Sequence, residues 1–135
     1  MARWKIKNVG MKGVAMAVPK NVVKTSDFDF FSQEEAEVFD NAVGIKSRHI
    51  APDSMCASDM CQAAAEKLIE ELGWERDSID VLLFESVTGD YRTPPTSCIL
   101  QDRLALSENC FCMDIPMGCC GCMYACLLYT SPSPR

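Results

Sequence analysis

An α/β fold with a mostly parallel central sheet flanked by helices is predicted by three features of this 135-residue chain. Ile79 to Val87 is a nearly continuous apolar run, as expected of a strand covered on both sides. Phe111 to Ile115 is a second short buried strand. Segments of helical periodicity precede, separate and follow the two, and that alternation builds parallel sheets.

Taken in order, Trp4 to Val18 alternates loosely and reads as a strand interrupted by Gly10 and Gly13, closing at the turn Val18-Pro19-Lys20-Asn21. The acidic segment Ser26 to Asn41 carries Phe28, Phe30, Phe31 and Phe39. Within it Ser32-Gln33-Glu34-Glu35 has the form of a capped helix start, and Gly44 ends that helix. Ile45 to Ala51 is expected as an exposed extended segment before the Pro52-Asp53 turn. The clearest helix runs from about Ser58 to Leu72, with Ser58 as N-cap, Asp59 in the first turn and Gly73 just past the end. Met60, Ala64, Ala65, Leu68, Ile69 and Leu72 make a single buried face along it. After the strand at 79–87, Thr88 to Thr93 form a loop. Pro94 then opens a helix through about Leu106 that carries Cys98, Leu100 and Leu104.

Composition narrows the function classes. With 48% hydrophobic and 24% charged residues the chain can bury one core. The net charge is −6 and the basic residues form no stripe, which argues against nucleic acid. No run approaches the roughly 18 apolar residues of a membrane span. The N-terminus lacks the apolar core of an export signal, so a cytoplasmic location is expected. Nine cysteines in that setting are expected to be thiols, mostly buried, with Cys56, Cys61, Cys98, Cys110 and Cys112 filling space. His49 reads as a surface or loop histidine.

The functional signal is the segment Asp114-Ile-Pro-Met-Gly-Cys-Cys-Gly-Cys-Met-Tyr124, where a short strand leads into a small-residue segment able to begin a helix. Helix N-termini favour anions, so Cys119 is the candidate nucleophile. A metal site is the rival, since Cys110, Cys112, Cys119, Cys120 and Cys122 fall close together. Structural zinc prefers C-x2-4-C pairs on knuckles, and adjacent cysteines on a helix point apart, so no metal is expected. A non-catalytic, cysteine-rich module is the remaining reading of this cluster.

Five segments in register resemble one family. Gly44-Ile45, with Arg48, Ile50 and Ala51, is similar to its G-I-x-x-R-x-I-A segment, and Ala57-Ser58-Asp59-Met60 opens a helix as there. Ile79-Asp80 resembles its I-D-x-x-I strand, and Asp90-Tyr91 with Pro94 and Gln101 its D-Y-x-x-P…Q loop and helix. Asp114-Ile115 with Cys119, Gly121 and Tyr124 is similar to D-[IV]-x-x-x-C-[SA]-G-x-x-Y. The family is that of β-ketoacyl-acyl-carrier-protein (ACP) synthase III.

The resemblance implies the N-terminal half of a thiolase-like fold over residues 1–125, with Cys119 catalytic. It implies an acyl-CoA or acyl-ACP primer, malonyl-ACP as second substrate, a homodimer and no resident cofactor. The histidine and asparagine of the condensation step belong to the second half, so the chain alone is expected to be inactive in condensation. Departures fall at the pocket. Cys120 stands where Ser or Ala is usual and Cys122 where an aromatic is common. Thr93 replaces an aromatic that limits chain length, and Val38 and Ala42 replace a tryptophan and an arginine of CoA-using members. A thiolase or a hydroxymethylglutaryl-CoA synthase shares the fold and is the enzymatic alternative. The last ten residues, 126–135, bring Ser-Pro-Ser-Pro where the cysteine helix should continue. They match one reading frame of a common sequencing adapter and are expected to be an artefactual tail.

Overall fold

The computed structural model describes residues 9–130, and these fall into two compact units, one of residues 17–56 and one of the residues up to 16 together with those from 57 onward.

In the 17–56 unit, strand β1 (Val22–Lys24) precedes helix α1 (Gln33–Val43) and strand β2 (Ser47–His49). The strands pair antiparallel, Val22 opposite His49 and Lys24 opposite Ser47. Helix α1 starts where its sequence demands. The Ser32 hydroxyl accepts the Glu35 N–H at 3.3 Å while the Glu35 carboxylate accepts the Ser32 N–H at 2.9 Å, a reciprocal cap. The Ser32 backbone N–H first, and then the Ser32 side chain, hold the Glu35 carboxyl below its usual value. The helix ends at Gly44, whose φ of 77° suits a residue without Cβ. The fully buried Thr25 hydroxyl donates to Asp40 at 2.5 Å. Phe28, Phe30, Phe31 and Phe39 form a chain of ring contacts with centroids 4.8 to 5.4 Å apart.

In the larger unit, helix α2 (Ala57–Leu72) leads to strand β3 (Val81–Glu85), helix α3 (Thr96–Arg103), strand β4 (Phe111–Ile115) and helix α4 (Gly121–Thr130). β3 and β4 pair parallel, from Val81 opposite Phe111 to Glu85 opposite Ile115. Because strand side chains alternate between faces, Leu82, Phe84 and Cys112 share one face. There they join Leu100, Leu104, Leu106 and Cys110, with Ala65 and Ile69 of α2 packed alongside, to form the core. The other face presents Val81, Leu83, Phe111 and Met113, which line a shallow groove with Leu128 of α4. Arg76 bridges the unit by donating to the Leu104 carbonyl and the Glu66 carboxylate. Among the described residues no helix is long and apolar enough to cross a membrane.

The α/β architecture with a parallel β3–β4 pair agrees with the sequence, but several details do not. Val9 to Val18 form no strand, because a strand needs a hydrogen-bonded neighbour and this segment has none among the described residues. Trp4 to Asn8 lie outside the described residues. The exposed extended segment expected at Ile45 to Ala51 contains strand β2, and its partner β1 is a strand that the sequence did not reveal. Ser58 is not the N-cap of α2: it lies inside the helix, fully buried, and donates its hydroxyl to Asp90. Helix α3 starts at Thr96 rather than Pro94, since Pro95 disfavours helical geometry in the residue before it. The apolar stripe of α2 is only half-buried. Val81 and Phe111 are 44% and 56% exposed, so the α4 face of the sheet is incompletely covered. The expected break at Cys126 is not found: Cys126 to Thr130 contain no proline or glycine and continue α4.

Candidate active site

The parallel pairing of β3 and β4 brings the carboxyl ends of both strands to the same edge of the sheet, where open α/β sheets form their clefts. A cleft of about 520 Å³ lies there, walled by Phe84, Ser86, Asp90, Tyr91, Asp114 and Pro116 among others. The two segments singled out from the sequence leave from this edge: the 86–95 loop after β3 and the cysteine turn after β4.

The cysteine turn is built by backbone hydrogen bonds. After the buried Ile115, the Met117 N–H returns to the Ile115 carbonyl at 2.8 Å, and the Gly121 N–H closes on Gly118 at 2.8 Å. The Cys120 carbonyl then accepts from Met123 at 3.0 Å and Tyr124 at 3.2 Å, which makes Cys120 the residue at which helical bonding begins. Cys119 therefore stands immediately before the N-terminus of α4. Cys119, Cys120 and Cys122 are all exposed. Thr93 is also exposed, in the loop before α3, and none of these four is among the residues lining the cleft. The structure thus groups the three cysteines at one helix start and leaves Thr93 on a separate loop.

The thiols differ in environment. The Cys122 thiol is pushed up by the charge of Cys126 one turn on, by a hydrogen bond with it, by burial, and by the Glu85 charge. Burial, followed by Cys110 and then Cys98 and Asp114, pushes Cys112 to about 11. Cys61 is also raised, by burial first and then by Asp90. All nine cysteines are thiols as expected, but they are not mostly buried: Cys110 is buried, whereas Cys56, Cys61 and Cys98 are exposed and do not fill space. Cys61 and Cys98 are carried by the covering helices α2 and α3 themselves, and Cys56 just precedes α2, so none of the three lies beneath that cover. His49 lies exposed on β2 with Nδ1 2.5 Å from the Pro19 carbonyl, a structural contact.

Sequence reasoning missed the polar scaffold beneath the cleft. The Asp114 carboxylate accepts the N–H groups of Thr96 at 2.7 Å and Ser97 at 2.8 Å, capping α3 from the end of β4. The Thr96 hydroxyl accepts the Asp90 N–H at 3.1 Å, the Asp90 carboxylate takes the Ser58 hydroxyl, and Arg103 donates to Ser58 and Asp59, each at 3.0 Å. Thr96, Ser97 and Ser58 are fully buried. The only trace in the sequence is the Pro-Pro-Thr-Ser start of α3, which lacks a capping side chain of its own.

No family model matches the chain. Individual relatives do. It is 33% identical over 120 residues to the β-ketoacyl-ACP synthase III of Clostridium perfringens, covering 89% of this chain and 36% of the relative. It is 35% identical over 115 residues to that of Geobacillus kaustophilus, covering 85% and 37%. Among solved structures, a 3-oxoacyl-ACP synthase from Burkholderia xenovorans superposes with a TM-score of 0.80 at 35% identity, over 88% of this chain and 36% of that one. OleA of Xanthomonas campestris, at 20% identity and a TM-score of 0.81, shares the fold. The chain spans a little over a third of the length of the curated relatives it matches. The resemblance seen in the five sequence segments is therefore borne out, as is the thiolase-like α/β fold.

Proposed function

We propose that this chain, similar over most of its length to the N-terminal part of β-ketoacyl-ACP synthase III proteins, carries the acyl-accepting nucleophile of a 3-oxoacyl-ACP synthase III-type acyltransferase. The observation that supports this most is the position of Cys119, exposed in the turn between the parallel strand β4 and α4, two residues before the first residue of that helix, in a chain similar to that family. In this reading the Cys119 thiolate attacks the carbonyl of an acyl thioester, the carrier thiol leaves with a proton, and the acyl group rests on Cys119 as a new thioester. The Cys119 N–H, at the helix start, helps hold the oxyanion formed on attack.

The decarboxylative condensation with malonyl-ACP requires a histidine and an asparagine that the resemblance assigns to a second half. His49, held at Pro19, is not that histidine. The protein is accordingly read as cytoplasmic and, at full length, homodimeric, with residues 126–135 foreign to it. Cys120, Cys122 and Thr93 shape the acyl pocket in this reading. Val38 and Ala42, which line an apolar groove on α1 with Phe31 and Phe39, stand where CoA-using members have a tryptophan and an arginine, so the primer is read as either an acyl-CoA or an acyl-ACP.

Incubating the 135-residue protein with an acyl-CoA and with the matching acyl-ACP, then mapping the adduct by peptide mass spectrometry, tests the reading. The acyl group is expected on Cys119 and absent from Cys119→Ala, with no ketoacyl product when malonyl-ACP is added. Equal acylation of all exposed cysteines would defeat the proposal.

A further inference from the structure

We propose that Glu85 is a positioning residue of the cysteine turn: its side chain is packed against Gly121 in the first turn of α4, and its charge restrains the reactivity of the neighbouring Cys122 thiol. Glu85 is the last residue of β3 and pairs with Ile115, the residue from which the cysteine turn departs. Strand alternation turns its side chain to the same face as Val81 and Leu83, the face that meets α4. Gly121 is buried, and a Cβ placed on it would collide with the Oε1, Cγ and Cδ atoms of Glu85. Gly121 thus leaves open the space that the Glu85 side chain occupies.

A carboxylate at this place opposes a second anion nearby. The titratable groups facing Cys122 are Cys126 from its own helix and Glu85 from β3, the strand packed against α4, which holds no other charged residue. Glu85 thereby adds to the disfavouring of a thiolate at Cys122, after the larger effect of Cys126. The inference deepens the acyl-transfer reading and rests on it for its purpose, which is to limit indiscriminate thiol reactivity around the nucleophile.

Peptide-resolved alkylation by iodoacetamide, followed from about pH 6 to about pH 10 in the full 135-residue chain, separates charge from packing. Glu85→Gln keeps the size and removes the charge, whereas Glu85→Asp keeps the charge. Cys122 is expected to react about two- to fivefold faster in Glu85→Gln near pH 8, its profile displaced to lower pH, with Glu85→Asp close to the parent. Superposable profiles for Glu85→Gln and the parent would overturn the proposal. So would an equal acceleration at Cys61 and Cys98, which marks general loosening of the fold. Acylation of Cys119 scored in the same samples keeps the two readings apart. Its absence with the Cys122 displacement intact defeats acyl transfer alone.

Discussion

Helices α1 and α3 begin in opposite ways. At α1 the capping groups, Ser32 and Glu35, lie three residues apart and exchange hydrogen bonds on the exposed surface. At α3 the first residue follows two prolines, its N-terminal donors are fully buried, and they are satisfied by Asp114 from a strand that comes later in the chain. A local cap stabilises one helix. A distant cap ties a helix to the strand whose end launches the cysteine turn, and so couples the fold to the candidate site.

Removing the distant cap has the largest expected effect. Asp114→Ala leaves two buried N–H groups without acceptors, at a cost of about 2–4 kcal/mol read as a drop in the urea midpoint. Asp114→Asn, which retains one acceptor oxygen, is expected to lose less. If Asp114→Ala unfolds at the parent's urea concentration, the contrast between the two caps collapses. Ser32→Ala is expected to cost about 1 kcal/mol and to leave Cys119 alkylation unchanged, since it touches only the 17–56 unit. The smallest effect concerns pH. Glu35 has its folded value below the usual 4.5, so its contribution is complete above that value and is lost as pH falls through the lower folded one. Comparing the parent with Glu35→Gln by acid titration should show the difference between them shrinking below about pH 4.5 and constant above it.

The same contrast explains what the sequence revealed. Ser32, Glu35 and Gly44 act on neighbours within a turn, so the start and end of α1 were legible, and the bounds of β4 were read correctly from its short apolar run. The parallel pairing was legible as alternation, and Cys119 was placed at a helix start by its small-residue context. What failed depended on distant partners. β1 is three residues long and exists only through β2, Ser58 is taken from its capping role by Asp90, and Asp114 serves a helix that precedes it. The exposure of Val81, Phe111 and most of the thiols could not be read from residues that look apolar whether or not something covers them.

The Asp114 clamp also couples the folding of α3 to that of β4. With only eight residues, α3 is too short to persist as an isolated helix. Its buried donors are satisfied only once β4 has docked in register beside β3. Helix and strand must therefore form in a single kinetic event, and substitutions in Leu100 and in Ile115 should shift the folding rate by the same fraction of their equilibrium effects.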